Sequence, residues 1–137
     1  MVDTVTPETR SRMMARIRRE STRPELWVRR YLHAAGLRFL VNDRRLPGQP
    51  DLVFPSARAV LFVHGCFWHR HTGCRFATMP GTRYEFWASK FAANVARDER
   101  VESLLKTEGW NVLKIWECEV GTETVLDELF WKIRSLG

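Results

Sequence analysis

Twelve residues, Val63 to Cys74 (VHGCFWHRHTGC), hold three histidines, two cysteines and a Phe-Trp pair, and the third cysteine of the chain, Cys118, stands far downstream. Thiolate sulfur and imidazole nitrogen together suit a borderline-soft ion with a tetrahedral preference. Cys66, Cys74, Cys118 and one histidine therefore form a candidate zinc site. Such a site constrains the fold more than any other feature, because it requires residue 118 to return beside residues 66–74. The competing reading is three buried thiols that merely neighbour histidines. An odd cysteine count argues against a disulfide framework. Spacing leaves the histidine open: His69 follows Cys66 by three residues, His71 precedes Cys74 by three, and either closes the site.

The flanking pattern supplies the scaffold. AVLFV (59–63) is apolar at every position, as in a strand buried on both faces. LRFLV (37–41) and DLVF (51–54) precede it, separated by the turn-rich PGQP and PSAR. Upstream, TPETRSRMMARIRR (6–19) opens with Thr6 as N-cap and Pro7 at the first helical position, which predicts a short basic helix. Thr22, Pro24 and Glu25 have capping-box spacing for a second helix that ends before Gly36. Residues 83–108 read as a long helix with Trp87, Phe91, Val95, Val101 and Leu105 on one stripe and Gly109 as its stop. NVLKIWE predicts a last strand and TVLDELFWKIRSL a final amphipathic helix. That order predicts an α/β chain, a mixed central sheet flanked by helices. With 137 residues, 45% of them hydrophobic, the chain is expected to form one domain, 1–137, with a basic arm at 1–20 and a loop at 64–80.

Lys and Arg outnumber Asp and Glu by 22 to 16, a net charge of +6, which favours a polyanionic partner. Arg10, Arg12, Arg16, Arg18, Arg19 and Arg23 crowd the arm, as either a solvated face or a set of phosphate contacts. Six tryptophans can fill a core, and beside basic residues they can also stack on nucleic-acid bases. No run approaches the ~18 apolar residues of a membrane span, and no basic head precedes an apolar stretch at the N-terminus. The expected location is cytoplasmic, without a membrane partner.

Whichever histidine the zinc leaves over, together with His64, lies at the end of the apolar strand, a common place for chemistry. Asp51 opens the preceding strand. A tight connection would bring its carboxylate near Val63 and His64, where a carboxylate and a strand-end carbonyl make an oxygen site for a hard cation such as magnesium. As a bare turn residue it would do nothing of the kind. Asp98 falls on the apolar stripe of the long helix, and Glu25 shares a side with Val28 and Leu32. Acids at such positions are rarely buried without a partner, although Glu25 also serves as the capping-box acid.

The segments TRSRMMARI, LPGQPDLVF, VHGCFWHRHTGC, TRYEFWASKFAANVARD and GWNVLKIWEC, in this order and over most of the chain, resemble the very short patch repair (Vsr-type) DNA mismatch endonucleases. The resemblance implies a restriction-endonuclease-like core. It implies that His71 joins Cys66, Cys74 and Cys118 on a structural zinc ion, and that His69 acts as general base. Asp51 corresponds to the ligand of catalytic magnesium, with the backbone carbonyl of Val63. His64 and Glu25 correspond to residues that hold the scissile phosphate and metal-bound water, and Asp98 to the acid that orients the base. Phe67, Trp68 and Trp87 match aromatics that enter DNA from the major groove beside the mismatch, and Met14 a wedge from the minor groove. Lys90 and Asn94 match residues near the thymine-guanine pair, and Arg16 lies on the arm that would meet phosphate.

FVH stands where restriction-type folds carry Glu-x-Lys, as is characteristic of the repair family. The chain departs from the family in two places: HRHTGC is one residue longer than the family's histidine-richer run, and Val63 replaces a threonine.

The function this implies is magnesium-dependent nicking of one strand beside the thymine of a T:G mismatch arising from 5-methylcytosine deamination. The partners it implies are double-stranded DNA, a mismatch-repair activator protein and a functional link to a cytosine-5 methyltransferase. Two rivals are a non-cutting module that reads damaged DNA, and a junction resolvase or restriction-like nuclease on the same core. Asp51, His64 and His69 argue against the first, and the aromatic wedges and Met14 against the second.

Overall fold

A computed structural model describes residues 23–137. Helix α1 (Pro24–Ala34) starts with Pro24, whose missing N–H costs nothing in a first turn. Its N-cap is Arg23, without a side-chain cap, and not Thr22, which lies outside the described residues. Glu25 thus sits in the first turn, and Val28, Tyr31 and Leu32 are buried. Strands β1 (Leu40–Val41), β2 (Leu52–Phe54) and β3 (Ala59–His64) follow, then helix α2 (Tyr84–Thr107), strand β4 (Asn111–Trp116) and helix α3 (Glu123–Leu136).

The sheet runs in the order β1-β2-β3-β4, antiparallel at its first two pairings and parallel between β3 and β4. The mixed α/β architecture expected from the sequence is present. β3 is an inner strand, in keeping with its apolar residues on both faces. Ala59, Leu61, Leu113 and Ile115 face α1 and α3, where Val28, Leu32, Leu126, Phe130 and Ile133 close the larger core. Val60, Phe62 and Val112 face the other way, against Val101 and Leu105 of α2. Period-two alternation on β3 and β4 thus builds two layers of helix around one sheet.

β1 is shorter than the apolar run at 37–41 suggests. β2 offers it only Val53 and Leu52, opposite Leu40 and Val41, while Leu37 and Phe39 turn into the core as packing residues. α2 carries its stripe as read, but only Phe91 and Leu105 are buried on it, because much of the helix borders a cleft and not a core. It ends where Gly109 takes φ +90°, and the N–H groups of Gly109 and Trp110 close the last turn on Lys106 and Leu105. Gly48 is required for a different reason. The loop before β2 passes so close to α2 that a β-carbon there would lie 2.5 Å from a Val101 methyl, and its φ is +74°. This approach holds the loop, and Asp51 after it, against the helix.

Candidate active site and metal centre

Asp51 immediately precedes β2, and the antiparallel register that pairs Leu52 with Leu61 carries it toward the far end of β3. There the Val63 N–H donates to Asp51 Oδ2 at 2.7 Å. Burial pushes the Asp51 carboxyl above its ordinary range. The Val63 N–H opposes that shift, the charge of Glu25 adds to it, and the charges of Arg29 and His69 oppose it. The charge of Glu25 thus reaches Asp51, but Glu25 is not among the residues that line the cleft to which Asp51 belongs.

His64 ends β3 with only 7% of its surface exposed. Burial, aided by the charge of His69, pushes it down to about 4, so its imidazole stays neutral at physiological pH. Its ring stacks on His69, centroids 3.9 Å apart and planes within 6°. His69 Nδ1 lies 2.6 Å from Asp98 Oδ2. Asp51, Val63, His64, His69 and Asp98 line one cleft of about 540 Å³, together with Trp68, Lys90, Asn94 and Arg97. The loop before β2, the end of β3, the loop after β3 and one face of α2 each contribute to it.

The thiols meet for a simple reason of register. Parallel pairing places His64 beside Trp116, so Cys66 and Cys118 each fall two residues beyond paired positions. Glu117 binds the two exits together, its Oε1 accepting the Cys66 N–H at 3.0 Å. The loop then turns back through His71 N–H to Cys66 O and Cys74 N–H to His71 O. One ligand atom from each of Cys66, His71, Cys74 and Cys118 lies within 4.8 Å of all the others. His71 Nδ1 is 3.7 Å from Cys66 Sγ and 3.4 Å from Cys118 Sγ. A tetrahedral ion with Zn–S near 2.3 Å and Zn–N near 2.0–2.1 Å requires about 3.6 Å between such atoms, so the donor set fits zinc.

Burial raises the Cys66 thiol and pushes Cys118 up to about 12, whereas the Phe76 N–H helps bring Cys74 down to about 7. Cys66 is buried and Cys74 and Cys118 partly so. Thiols raised like those of Cys66 and Cys118 favour the protonated form, and a bound dication would reverse that preference. The structure divides the two histidines that spacing could not: His71 lies among the thiols and His69 faces Asp98.

Phe67 and Trp68 pack edge to face at 5.1 Å, and both lie 5.9 Å from Trp87. Trp68 remains 45% exposed at the cleft. Lys90 Nζ sits 5.9 Å above its ring, and Asn94 Nδ2 donates to its carbonyl at 3.3 Å. Met14 and Arg16 lie outside the described residues.

Three residues were not picked out as site residues from the sequence. Arg97 lines the cleft one helical turn beyond Asn94, and its spacing from Lys90 and Asn94 could have revealed it. Trp116 stacks on His71 at 4.3 Å and meets His64 edge-on at 5.1 Å, joining the two centres. Arg70 hydrogen-bonds three loop carbonyls. No local pattern announces either of the last two.

The family model for the DNA mismatch endonuclease Vsr matches residues 2–75. Among curated proteins, the chain is 51% identical over 120 residues to the type II nicking enzyme V.XorIIP of Xanthomonas oryzae, covering 88% of each. It is 44% identical over 129 residues to the DNA mismatch endonuclease Vsr of Escherichia coli, covering 93% of this chain and 82% of that one. It is 37% identical over 128 residues to the type II nicking enzyme V.NmeAIP of Neisseria meningitidis, covering 93% and 91%. No helix among the described residues is long and apolar enough to cross a membrane. A nuclease family implies divalent metal and a DNA substrate, and the cleft offers side chains suited to both. The chain belongs to the DNA mismatch endonuclease Vsr family and is a DNA endonuclease.

Proposed function

We propose that this endonuclease nicks one strand beside the thymine of a T:G mismatch, with magnesium as catalytic and zinc as structural ion. The observation that carries the reading is the convergence on one cleft of a half-buried carboxylate, Asp51, a carboxylate-oriented imidazole, His69, and an exposed aromatic, Trp68. Cutting and base reading thus share one surface. The E. coli relative is named a mismatch endonuclease and the others nicking enzymes, which supports the same choice. The family also supports a restriction-endonuclease-like core, with the whole chain as one endonuclease unit and residues 1–20 as a DNA-contacting arm.

Asp51 and the Val63 carbonyl would hold magnesium, because one Asp51 oxygen is oriented by the Val63 N–H and a hard cation prefers such oxygen ligands. Bound there, magnesium would supply positive charge to the phosphate and the departing oxygen. His69 takes a proton from the attacking water, its Nδ1 held by Asp98 so that Nε2 is the accepting nitrogen. His64, neutral and stacked on His69, and Glu25 hold the phosphate and the water in line. Cys66, His71, Cys74 and Cys118 would hold zinc and so fix the loop that carries His69.

Phe67, Trp68 and Trp87 enter the duplex beside the mismatch, Met14 enters from the opposite groove, and Lys90 and Asn94 contact the pair itself. A mismatched step opens at lower cost than a paired one, so wedging turns duplex weakness into selectivity. Such mismatches arise where a cytosine-5 methyltransferase acts in the same cytoplasm, and a mismatch-repair activator would increase turnover. The test is a strand-labelled T:G duplex beside its C:G counterpart, with and without magnesium. Nicking confined to the thymine strand of the T:G duplex with magnesium is expected. Equal cutting of both duplexes, or none, would reject the reading.

A further inference from the structure

Phe67 and Trp68 can select a mismatch only if they are presented to DNA in one orientation. Side chains that must be ordered on binding lose affinity to that ordering, and a held wedge does not. The loop from Cys66 to Thr78 has no strand or helix of its own. Turn bonds from backbone N–H groups serve Cys66 O, His71 O and Cys74 O, whereas the carbonyls of Phe67, Trp68, Ala77 and Thr78 are held by side chains.

Arg70 supplies them. Its Nη1 donates to Phe67 O at 3.2 Å and to Thr78 O at 2.9 Å, and its Nη2 to Ala77 O at 3.0 Å. The guanidinium lies 4.1 Å over the Phe91 ring of α2. One planar cation therefore joins the entrance of the loop, its exit and the helix behind it. From the other side Asn94 holds Trp68 O. The successive carbonyls of Phe67 and Trp68 are thus gripped by two different side chains, which fixes the peptide planes that aim both rings.

Arg70 itself takes φ +55°, a left-handed conformation uncommon for a residue with a β-carbon. At this bend His69 leaves toward Asp98 and His71 toward the thiols. Only arginine offers several donors in a rigid planar fork that also stacks on an aromatic face; lysine offers a point charge on a flexible stem.

We propose that Arg70 is a positioning residue for mismatch selection, a clamp that presents Phe67 and Trp68 to DNA. The proposal rests on the T:G reading above. It also gives Arg70, which stands between two histidines in the loop, a physical role.

The full-length wild type, Arg70→Ala and Arg70→Lys are compared on T:G and C:G duplexes in calcium, with zinc content and amide exchange over residues 67–79 measured on the same samples. Arg70→Ala is expected to keep its zinc, lose about tenfold in T:G affinity and little in C:G affinity, the size expected for one stacking contact. Its loop amides should exchange faster. Arg70→Lys should restore less than half of the loss. Added guanidinium, against sodium chloride of equal ionic strength, should partly rescue Arg70→Ala and leave the wild type unchanged.

Loss of zinc from Arg70→Ala, equal weakening on both duplexes, or an intact T:G preference would each overturn the clamp. A wild type without T:G preference would reject the proposed function instead. Amide exchange then decides the clamp separately, since an Arg70→Ala loop that exchanges like the wild type would refute it.

Discussion

His69 and Asp98 meet across the cleft with Nδ1 2.6 Å from Oδ2. A carboxylate accepts only, so the contact places the His69 proton on Nδ1 and leaves Nε2 as the basic nitrogen. Asparagine at 98 can turn its amide N–H toward the ring and favour the opposite tautomer. Asp98→Asn should therefore bind T:G duplex normally and cut it more slowly, by up to the factor of about 10² to 10⁴ that a positioned base contributes. Single-turnover rates at saturating enzyme measure this, and an unchanged rate would remove Asp98 from the mechanism.

Zinc should be present at one equivalent per chain and released on denaturation with thiol modification. Structural zinc contributes on the order of 10 kcal/mol to folding in small sites, so Cys118→Ala should yield a poorly folded, metal-poor chain. A native-like melting curve and normal nicking in that variant would contradict a structural zinc.

Asp51→Asn should abolish nicking yet stabilise the fold. The carboxyl is raised above its ordinary range by burial, so between the unfolded and folded values the folded chain binds more protons, and stability falls as pH rises through that window. In magnesium-free buffer the two proteins should melt alike below the ordinary carboxylate range, and Asp51→Asn should melt higher at neutral pH. If the variant melts lower at pH 7, the Val63 bond outweighs desolvation. Replacing magnesium with calcium in the wild type should preserve binding and reduce cutting, because calcium holds oxygen ligands in a looser geometry.

Trp68→Ala removes a stacking surface worth roughly 1–3 kcal/mol per base, about a tenfold to hundredfold loss in affinity. The loss should fall mainly on T:G duplex. Arg16→Ala, by contrast, should weaken T:G and C:G binding alike and lower the slope of log affinity against log salt by about one. A Trp68→Ala enzyme weakened equally on both duplexes would mean that Trp68 only packs the loop.

The elements of this fold were legible wherever a period or a stop governed them. Consecutive apolar residues at 59–63 marked the inner strand, and Gly109 marked the end of α2, because local geometry alone dictates both. The apolar run at 37–41 suggests a strand that includes Phe39, yet Phe39 packs against the core, since whether an apolar residue pairs or packs depends on how much edge the neighbouring strand offers. The choice between His69 and His71 was open to spacing, which counts residues but does not see the left-handed turn at Arg70 between them. Family resemblance supplied the assignment that spacing lacked; in the fold His71 lies among the thiols and His69 against Asp98. Arg70 and Trp116 escaped because their partners, Ala77, Thr78 and Phe91 for one, His64 and His71 for the other, come together only in three dimensions.

Parallel alignment of Val63 with Ile115 and His64 with Trp116 has a biological consequence. The same strand ends that bring Cys66 beside Cys118 also set His64 and, through the loop, His69 in the cleft. A slip of β4 by one residue would send its side chains to the wrong faces and withdraw Cys118 from its partners. A chain with β4 out of register is therefore expected to lose metal binding and DNA cleavage together.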